Sequence, residues 1–325
     1  MEQKHIANIL DQCDQNELYS DFEALSVCNL CPRNCNTDRL HRKSGYCKTG
    51  SEFKISSICI HREEEPVISG RKGICNIFFT NCNLQCKYCQ NHQISFNCLD
   101  HSRDEMRLEA VLEQITHILD QGIKAVGFVS PSHVIPQVKV IIRSLKILGY
   151  KPAFVYNSNG YDKVEEIRKL EGLIDVYLPD FKYMDKDIGR EYSDAPDYPQ
   201  IALNAIKEMY RQVGSSILLN DDEQAERGMV IRHLVLPGNA QNSIKVLQEI
   251  ADKISPHINI SLMSQYYPTY HVAGHKFLGR ILRRKEYQLV VDAMEDLGIN
   301  DGWIQDLDSY ENYRPDFERK DHPFE

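Results

Sequence analysis

Ile74-Cys75-Asn76-Ile77-Phe78-Phe79-Thr80-Asn81-Cys82-Asn83-Leu84-Gln85-Cys86-Lys87-Tyr88-Cys89-Gln90-Asn91 joins a short apolar run to a loop bearing three cysteines. The run 74–80 has the aliphatic and aromatic make-up of a buried strand, and the motif Cys-x3-Cys-x2-Cys begins where it ends. Five further apolar runs follow, at 124–129, 152–156, 174–178, 229–236 and 259–263. Between them, stretches at 104–120, 134–148, 162–170, 201–213, 243–254 and 286–297 space their apolar residues three to four apart, as helices do. Six strand–helix units predict an α/β fold, a parallel sheet with covering helices. From residue 74 to 263 is about 190 residues, short of the ~250 of a closed eight-fold barrel. An open partial (β/α)6 TIM-like barrel is expected, with functional residues at the C-terminal ends of its strands.

Ahead of the barrel, 1–25 reads as a polar helix. A small Cys-rich module covers 28–50, and 51–73 reads as a linker. The expected division is 1–72 for helix, module and linker, and 73–325 for the barrel with a C-terminal extension. The run Glu63-Glu64-Glu65 in the linker reads as a solvated surface turn.

Composition narrows the class. Hydrophobic residues at 42% and charged residues at 26% describe a globular chain with a real core. A net charge of −9 argues against a nucleic-acid polymer as main partner. No run approaches the roughly 18 apolar residues of a spanning helix, and the first residues lack a signal-peptide pattern. A cytoplasmic location with no membrane partner is expected. Eleven cysteines, all at or before Cys98, are then better read as metal ligands than as disulfides.

Two cysteine groups stand out. Cys82, Cys86 and Cys89 supply three thiolates on one loop, whereas iron–sulfur clusters usually take four. Three ligands leave one iron of a cubane open to a substrate or cosubstrate. A zinc knuckle is the alternative, but zinc prefers four ligands in paired spacing. Cys28, Cys31, Cys35 and Cys47 supply a complete set of four, suited to structural zinc or to an auxiliary [4Fe-4S] cluster. The remaining four, Cys13, Cys59, Cys75 and Cys98, read as ordinary buried thiols.

The loop 80–91 resembles the signature of the radical S-adenosylmethionine (SAM) superfamily. Further segments make 28–313 similar to the pyruvate formate-lyase activating enzyme-related group. They are Cys28-Asn29-Leu30-Cys31-Pro32-Arg33, the stretch 62–70, Asp180-Phe181-Lys182, Arg232-His233-Leu234-Val235-Leu236-Pro237-Gly238 and Ser264-Gln265-Tyr266-Tyr267. The resemblance implies an oxidoreductase with a [4Fe-4S] cluster on Cys82, Cys86 and Cys89, whose open iron SAM chelates. It implies reductive cleavage of SAM to a 5′-deoxyadenosyl radical, which abstracts hydrogen from a substrate. It also implies an electron donor such as flavodoxin or ferredoxin, and leaves open a protein substrate.

Site roles implied by the resemblance follow strand by strand. Tyr88 lies near the adenine. Where relatives carry Gly-Gly-Glu after the second strand, this chain has Ser130-Pro131-Ser132-His133. Ser130 and Ser132 are SAM-contact candidates there, with a helix N-cap at Ser130 as the structural alternative. Asn157-Ser158-Asn159-Gly160 stands where relatives have Asp-Thr-Asn-Gly, which makes Asn157 and Asn159 candidates. Asp180 and Lys182 border the SAM site; Lys182 pairs with the SAM carboxylate or forms a salt bridge on the rim. Pro237, before Gly238, lets backbone approach the adenine. Gln265, Tyr266 and Tyr267 are expected toward the substrate, with His271 and His275 beyond. Three functions remain open: an activase for a glycyl-radical protein, modification of a small molecule or peptide, and a non-catalytic iron–sulfur or zinc scaffold.

Overall fold

The computed structural model describes residues 1–41, 43, 45–311, 314–319 and 322–324; Tyr313, where the family resemblance ends, lies outside them. Its centre is a ten-stranded sheet. The strands are β1 (Phe53–His61), β2 (Ile74–Phe79), β3 (Glu105–Met106), β4 (Ala125–Val129), β5 (Ala153–Ser158), β6 (Val176–Pro179), β7 (Leu218–Leu219), β8 (Ala225–Leu234), β9 (Asn259–Met263) and β10 (Gly302–Ile304). Their order is β10-β9-β8-β6-β5-β4-β2-β1-β3, with β7 beside β8. From β2 through β10 every pair on this path is parallel. All six expected strands and all six covering helices are present, in an open and not a closed arrangement. The short β10 adds a seventh parallel strand. Among the described residues no helix is long and apolar enough to cross a membrane.

Alternation along the strands separates two faces. Val126, Phe128, Phe154, Tyr156, Tyr177, Met229, Ile231, Ile260 and Leu262 face the helices in one large core. On the other face Ile74, Ala125, Val155, Val176, Leu178 and Val230 form a separate inner cluster that Ile68 completes. Higher on the inner face the residues turn polar: Asn157, Asp180 and Arg232.

The linker is a correction. Its first half is β1, nine residues paired antiparallel with β2, so a division after residue 72 would cut a hairpin of the sheet. The connection between these strands folds inward. A helical turn at Pro66–Ser69 places Ile68 against the inner cluster. Glu64 and Glu65, expected in solvent, are turned inward, Glu65 buried and Glu64 largely so, and both are bound to Arg232 of β8. A lone carboxylate would not remain there. The guanidinium offsets the desolvation that burial imposes.

The N-terminal 25 residues are also not one helix. They form Gln3–Leu10, a turn at Gln15–Leu18 and a 3-10 segment at Ser20–Leu25, with Ile6, Leu10 and Leu18 in the core.

Candidate active site

The loop that leaves β2 is held at many points. Asn81 adopts φ 65°, and its amide donates to the Ile94 carbonyl at 2.7 Å. Asn97 brackets Cys82, accepting from its amide (3.1 Å) and donating to its carbonyl (2.9 Å). Asn83 donates to the Tyr161 carbonyl (2.8 Å), and Lys87 N to the Tyr192 carbonyl (2.8 Å). Loops usually carry unmet backbone groups to water; here partners on three other segments fix the path.

Each thiol has its own donor. Asn159 Nδ2 lies 3.3 Å from Cys82 Sγ, Ser193 Oγ 2.9 Å from Cys86 Sγ, and Ser95 Oγ 3.2 Å from Cys89 Sγ. Burial pushes the Cys82 thiol up to about 12 and the Cys89 thiol up to about 11, and neighbouring thiols add to both. Cys86 is also raised, mainly by burial, while Lys182 and Ser193 oppose the rise. Three thiolates in one low-dielectric pocket therefore require a cationic centre between them. The three thiols border a shared cavity, and three ligands on one loop fit a multi-iron cluster with one open iron better than a zinc knuckle, which takes four.

That cavity has a volume of about 470 Å³, within the range of small-molecule sites. The cluster loop forms one wall with Cys82, Cys86, Cys89 and Tyr88. Opposite stand Ser130, Asn157, Asn159, Asp180 and Lys182, at or just beyond the C-terminal ends of β4, β5 and β6. Lys182 Nζ pairs with Asp180 at 2.5 Å. Burial works against its ammonium, yet Asp180 and the Cys86 thiol outweigh burial and raise its pKa. It is a fixed positive charge facing the cavity. Asn159 does two things at once, since its Nδ2 also donates to Asn83 Oδ1 at 2.8 Å. Gly160 permits this turn: its φ is +79°, and a Cβ there would sit 2.2 Å from the Asp180 carbonyl.

Tyr88 is buried and its hydroxyl meets that of Tyr183 at 2.6 Å. Gln265 lines the cavity. Other expected residues are placed elsewhere. Ser132 is fully buried beneath the loop, off the cavity wall, and Pro237 lies three residues past the end of β8, where the chain has left the wall. Ser130 holds the N-cap position of the short Pro131–His133 turn, but with φ 52° and no capping bond from its side chain. Tyr266 is buried and donates to the Leu278 carbonyl (2.6 Å). Tyr267 stacks under Arg314, His271 stacks on Phe96 and Tyr270, and His275 contacts Glu191.

Several wall residues were not expected. His61, Glu64, Glu65, Arg232, Met263, Trp303, Asp306 and Phe324 all line the cavity. Arg232 Nε donates to Glu65 Oε1 at 2.8 Å and Nη2 to Glu64 Oε2 at 2.5 Å; Nη2 also contacts Glu65 Oε2. Burial alone would raise the Glu64 carboxyl, but Arg232 and His61 hold it below the ordinary range. Burial lowers His61, and Glu64 only partly opposes this. The four cysteines Cys28, Cys31, Cys35 and Cys47 line a separate, much smaller void behind the cluster loop.

Residues 76–220 match the family model described as the Radical SAM superfamily. An uncharacterized protein of Methanocaldococcus jannaschii is 27% identical over 282 residues, spanning 84% of this chain and 75% of its own. Among solved structures, a domain of a pyruvate-formate lyase-activating enzyme from Bacteroides vulgatus has a TM-score of 0.39 at 16% identity, covering 53% of this chain and 93% of that one. SuiB of Streptococcus suis, bound to S-adenosylmethionine, has a TM-score of 0.48 at 11% identity and covers 72% of this chain; this chain spans 50% of its length.

Proposed function

We propose, from the match of residues 76–220 to the Radical SAM superfamily model, that Cys82, Cys86 and Cys89 hold a [4Fe-4S] cluster at which S-adenosylmethionine is reductively cleaved. The observation that carries this reading is the shared cavity: three hydrogen-bonded thiols on one wall and the Lys182 ammonium among strand-end amides on the other. The cluster, when bound, would supply the electron for reductive cleavage of a C–S bond of SAM, the chemistry that yields methionine and a hydrogen-abstracting 5′-deoxyadenosyl radical.

The chain's own residues bind, orient and exclude water. Lys182 pairs with the SAM carboxylate, and Asp180 keeps its ammonium in place. Asn157 offers an amide donor beside it, while Asn159 commits both Nδ2 protons to steadying the loop, one to Cys82 Sγ and one to Asn83 Oδ1. Ser130 meets the polar end of SAM where relatives have a carboxylate, and Tyr88 borders the adenine. Ser193 and Ser95 hold negative charge on the sulfurs of Cys86 and Cys89 through their hydroxyl protons. An external donor such as flavodoxin or ferredoxin supplies the electron, in a reducing cytoplasm where the free thiols stay reduced.

For the substrate we favour a glycine of a partner protein, as in an activase. Modification of a small molecule or peptide is the second reading, supported by Ser130-Pro131-Ser132-His133 in place of Gly-Gly-Glu. The test is anaerobic reconstitution with iron and sulfide, reduction with dithionite, addition of SAM and quantification of 5′-deoxyadenosine. Production that disappears in Cys82→Ala supports the reading. A well-formed cluster that never cleaves SAM would leave a non-catalytic scaffold.

A further inference from the structure

Behind the cluster loop, Cys28, Cys31, Cys35 and Cys47 converge on one small void with Arg39, Thr37, Tyr46 and His133. Arg39 is only 1% exposed. Its guanidinium donates to the carbonyls of His133 (2.8 Å) and Gly50 (2.8 Å) and approaches Cys28 Sγ at 3.5 Å. Among the described residues no carboxylate pairs with it. A buried cation without an anion is costly, so the anion has to come from the void itself. Four neutral thiols do not supply one.

We propose that these four cysteines hold a second metal centre, a tetrathiolate site whose negative charge is the partner of Arg39. Zinc on four thiolates and an oxidised cubane on four thiolates both leave a net dianion, so the same cation suits either. Other observations agree. Tyr46 N donates to Cys35 Sγ at 3.2 Å. The Thr37 hydroxyl is buried with no partner and lies against the same void. The backbone takes positive φ at Asn34, Asn36 and Lys48, each within a few residues of a ligand cysteine. Such conformations persist only where surrounding structure over-determines them. At Gly45 a Cβ would sit 2.7 Å from Cys35 Sγ, so the turn closes directly on the thiol.

The centre also braces the catalytic loop. Arg33, between Cys31 and Cys35, donates to the Asn83 carbonyl at 2.9 Å and lies over the Tyr46 ring. The Tyr46 carbonyl accepts from Asn97, the residue that brackets Cys82. Arg39 holds the His133 carbonyl, and His133 Nε2 reaches the Thr80 carbonyl at 3.0 Å.

The test separates this site from the first. In Cys82→Ser/Cys86→Ser/Cys89→Ser, purified anaerobically and offered zinc or iron with sulfide, about one zinc or about four irons per chain should remain. Adding Cys31→Ser should remove them. Arg39→Leu should weaken metal retention roughly 10–100-fold, as loss of an outer-sphere partner does, and Arg39→Lys should recover part of it. A folded triple variant that retains no transition metal overturns the proposal. If that variant does not fold, the wild-type chain decides. A chelator should expose Cys28, Cys31, Cys35 and Cys47 to alkylation, and unchanged reactivity overturns the proposal.

Discussion

Replacing Arg232 by methionine should destabilise the fold strongly and in a pH-dependent way. The three side chains concerned are 9% (Arg232), 12% (Glu64) and 6% (Glu65) exposed, so water reaches them only from the cavity and replaces the guanidinium poorly. Methionine fills similar volume and leaves two buried carboxylates without their cation. Breaking a buried pair in this way costs about 3–5 kcal/mol. The sign with pH follows from Glu64. In the wild type its folded pKa is depressed, so its contribution is present above the unfolded carboxylate value and is lost as pH falls through the folded one. In Arg232→Met burial acts unopposed by the guanidinium and raises the folded pKa. The variant therefore keeps its stability below the unfolded value and loses it as pH rises. Urea unfolding of the apo protein at pH 7 and pH 5 should show a gap between wild type and variant that narrows at the lower pH. A gap below about 1 kcal/mol at pH 7, the scale of an exposed pair, or one that ignores pH, would refute the buried-triad account.

Two further outcomes bear on the cavity wall. Lys182→Met removes the cation facing the proposed SAM carboxylate; with a charged hydrogen bond contributing about 1.5–3 kcal/mol, the Kd for SAM should rise roughly 10–150-fold by calorimetry while cluster absorbance is unchanged. Equal affinity would remove Lys182 from the site. Ser193→Ala deletes the hydroxyl 2.9 Å from Cys86 Sγ; fewer hydrogen bonds to a ligand sulfur make the potential more negative, and a redox titration followed by electron paramagnetic resonance that shows no shift, or a positive one, counts against that contact.

What could be read from the chain depended on whether a signal was local. The six strands of the barrel are continuous apolar runs because both faces are covered, one by helices and one by the inner cluster. β10, three residues long, offers no periodicity to read. β1 mixes Lys54, Ser56, Ser57 and His61 among its apolar residues, since its inner faces are only partly covered, and so it resembled a linker. Glu63-Glu64-Glu65 carried the usual signature of a surface turn because the partner of Glu64 and Glu65, Arg232, lies more than 160 residues away. Ser193 and Ser95 touch the thiols from segments with no motif of their own. The cysteine loop itself was fully legible, because ligand spacing is a local property.

The inward fold of 62–69 also explains why an open barrel can enclose a site. Seven parallel strands leave a seam that a closed (β/α)8 barrel would not have. The lower inner face is apolar at Ala125, Val155, Val176 and Val230, and Ile68 seals it from below. The next inward layer is polar at Asn157, Asp180 and Arg232, and Glu64 and Glu65 rise from the same hairpin to meet Arg232. Along the seam, Phe317 and Phe324 from the C-terminal segment pack on Phe78. One hairpin thus supplies a floor and one tail covers a side, tasks that additional strands would perform in a closed barrel. The buried ion triad sits where floor and wall meet, and its loss would open the cavity to water from below as well as unfold the hairpin. The proposed radical chemistry needs water kept out. The stability measured for Arg232→Met and the yield of 5′-deoxyadenosine per SAM consumed should therefore fall together, and a variant that loses the first without the second would show that the floor does not seal the site.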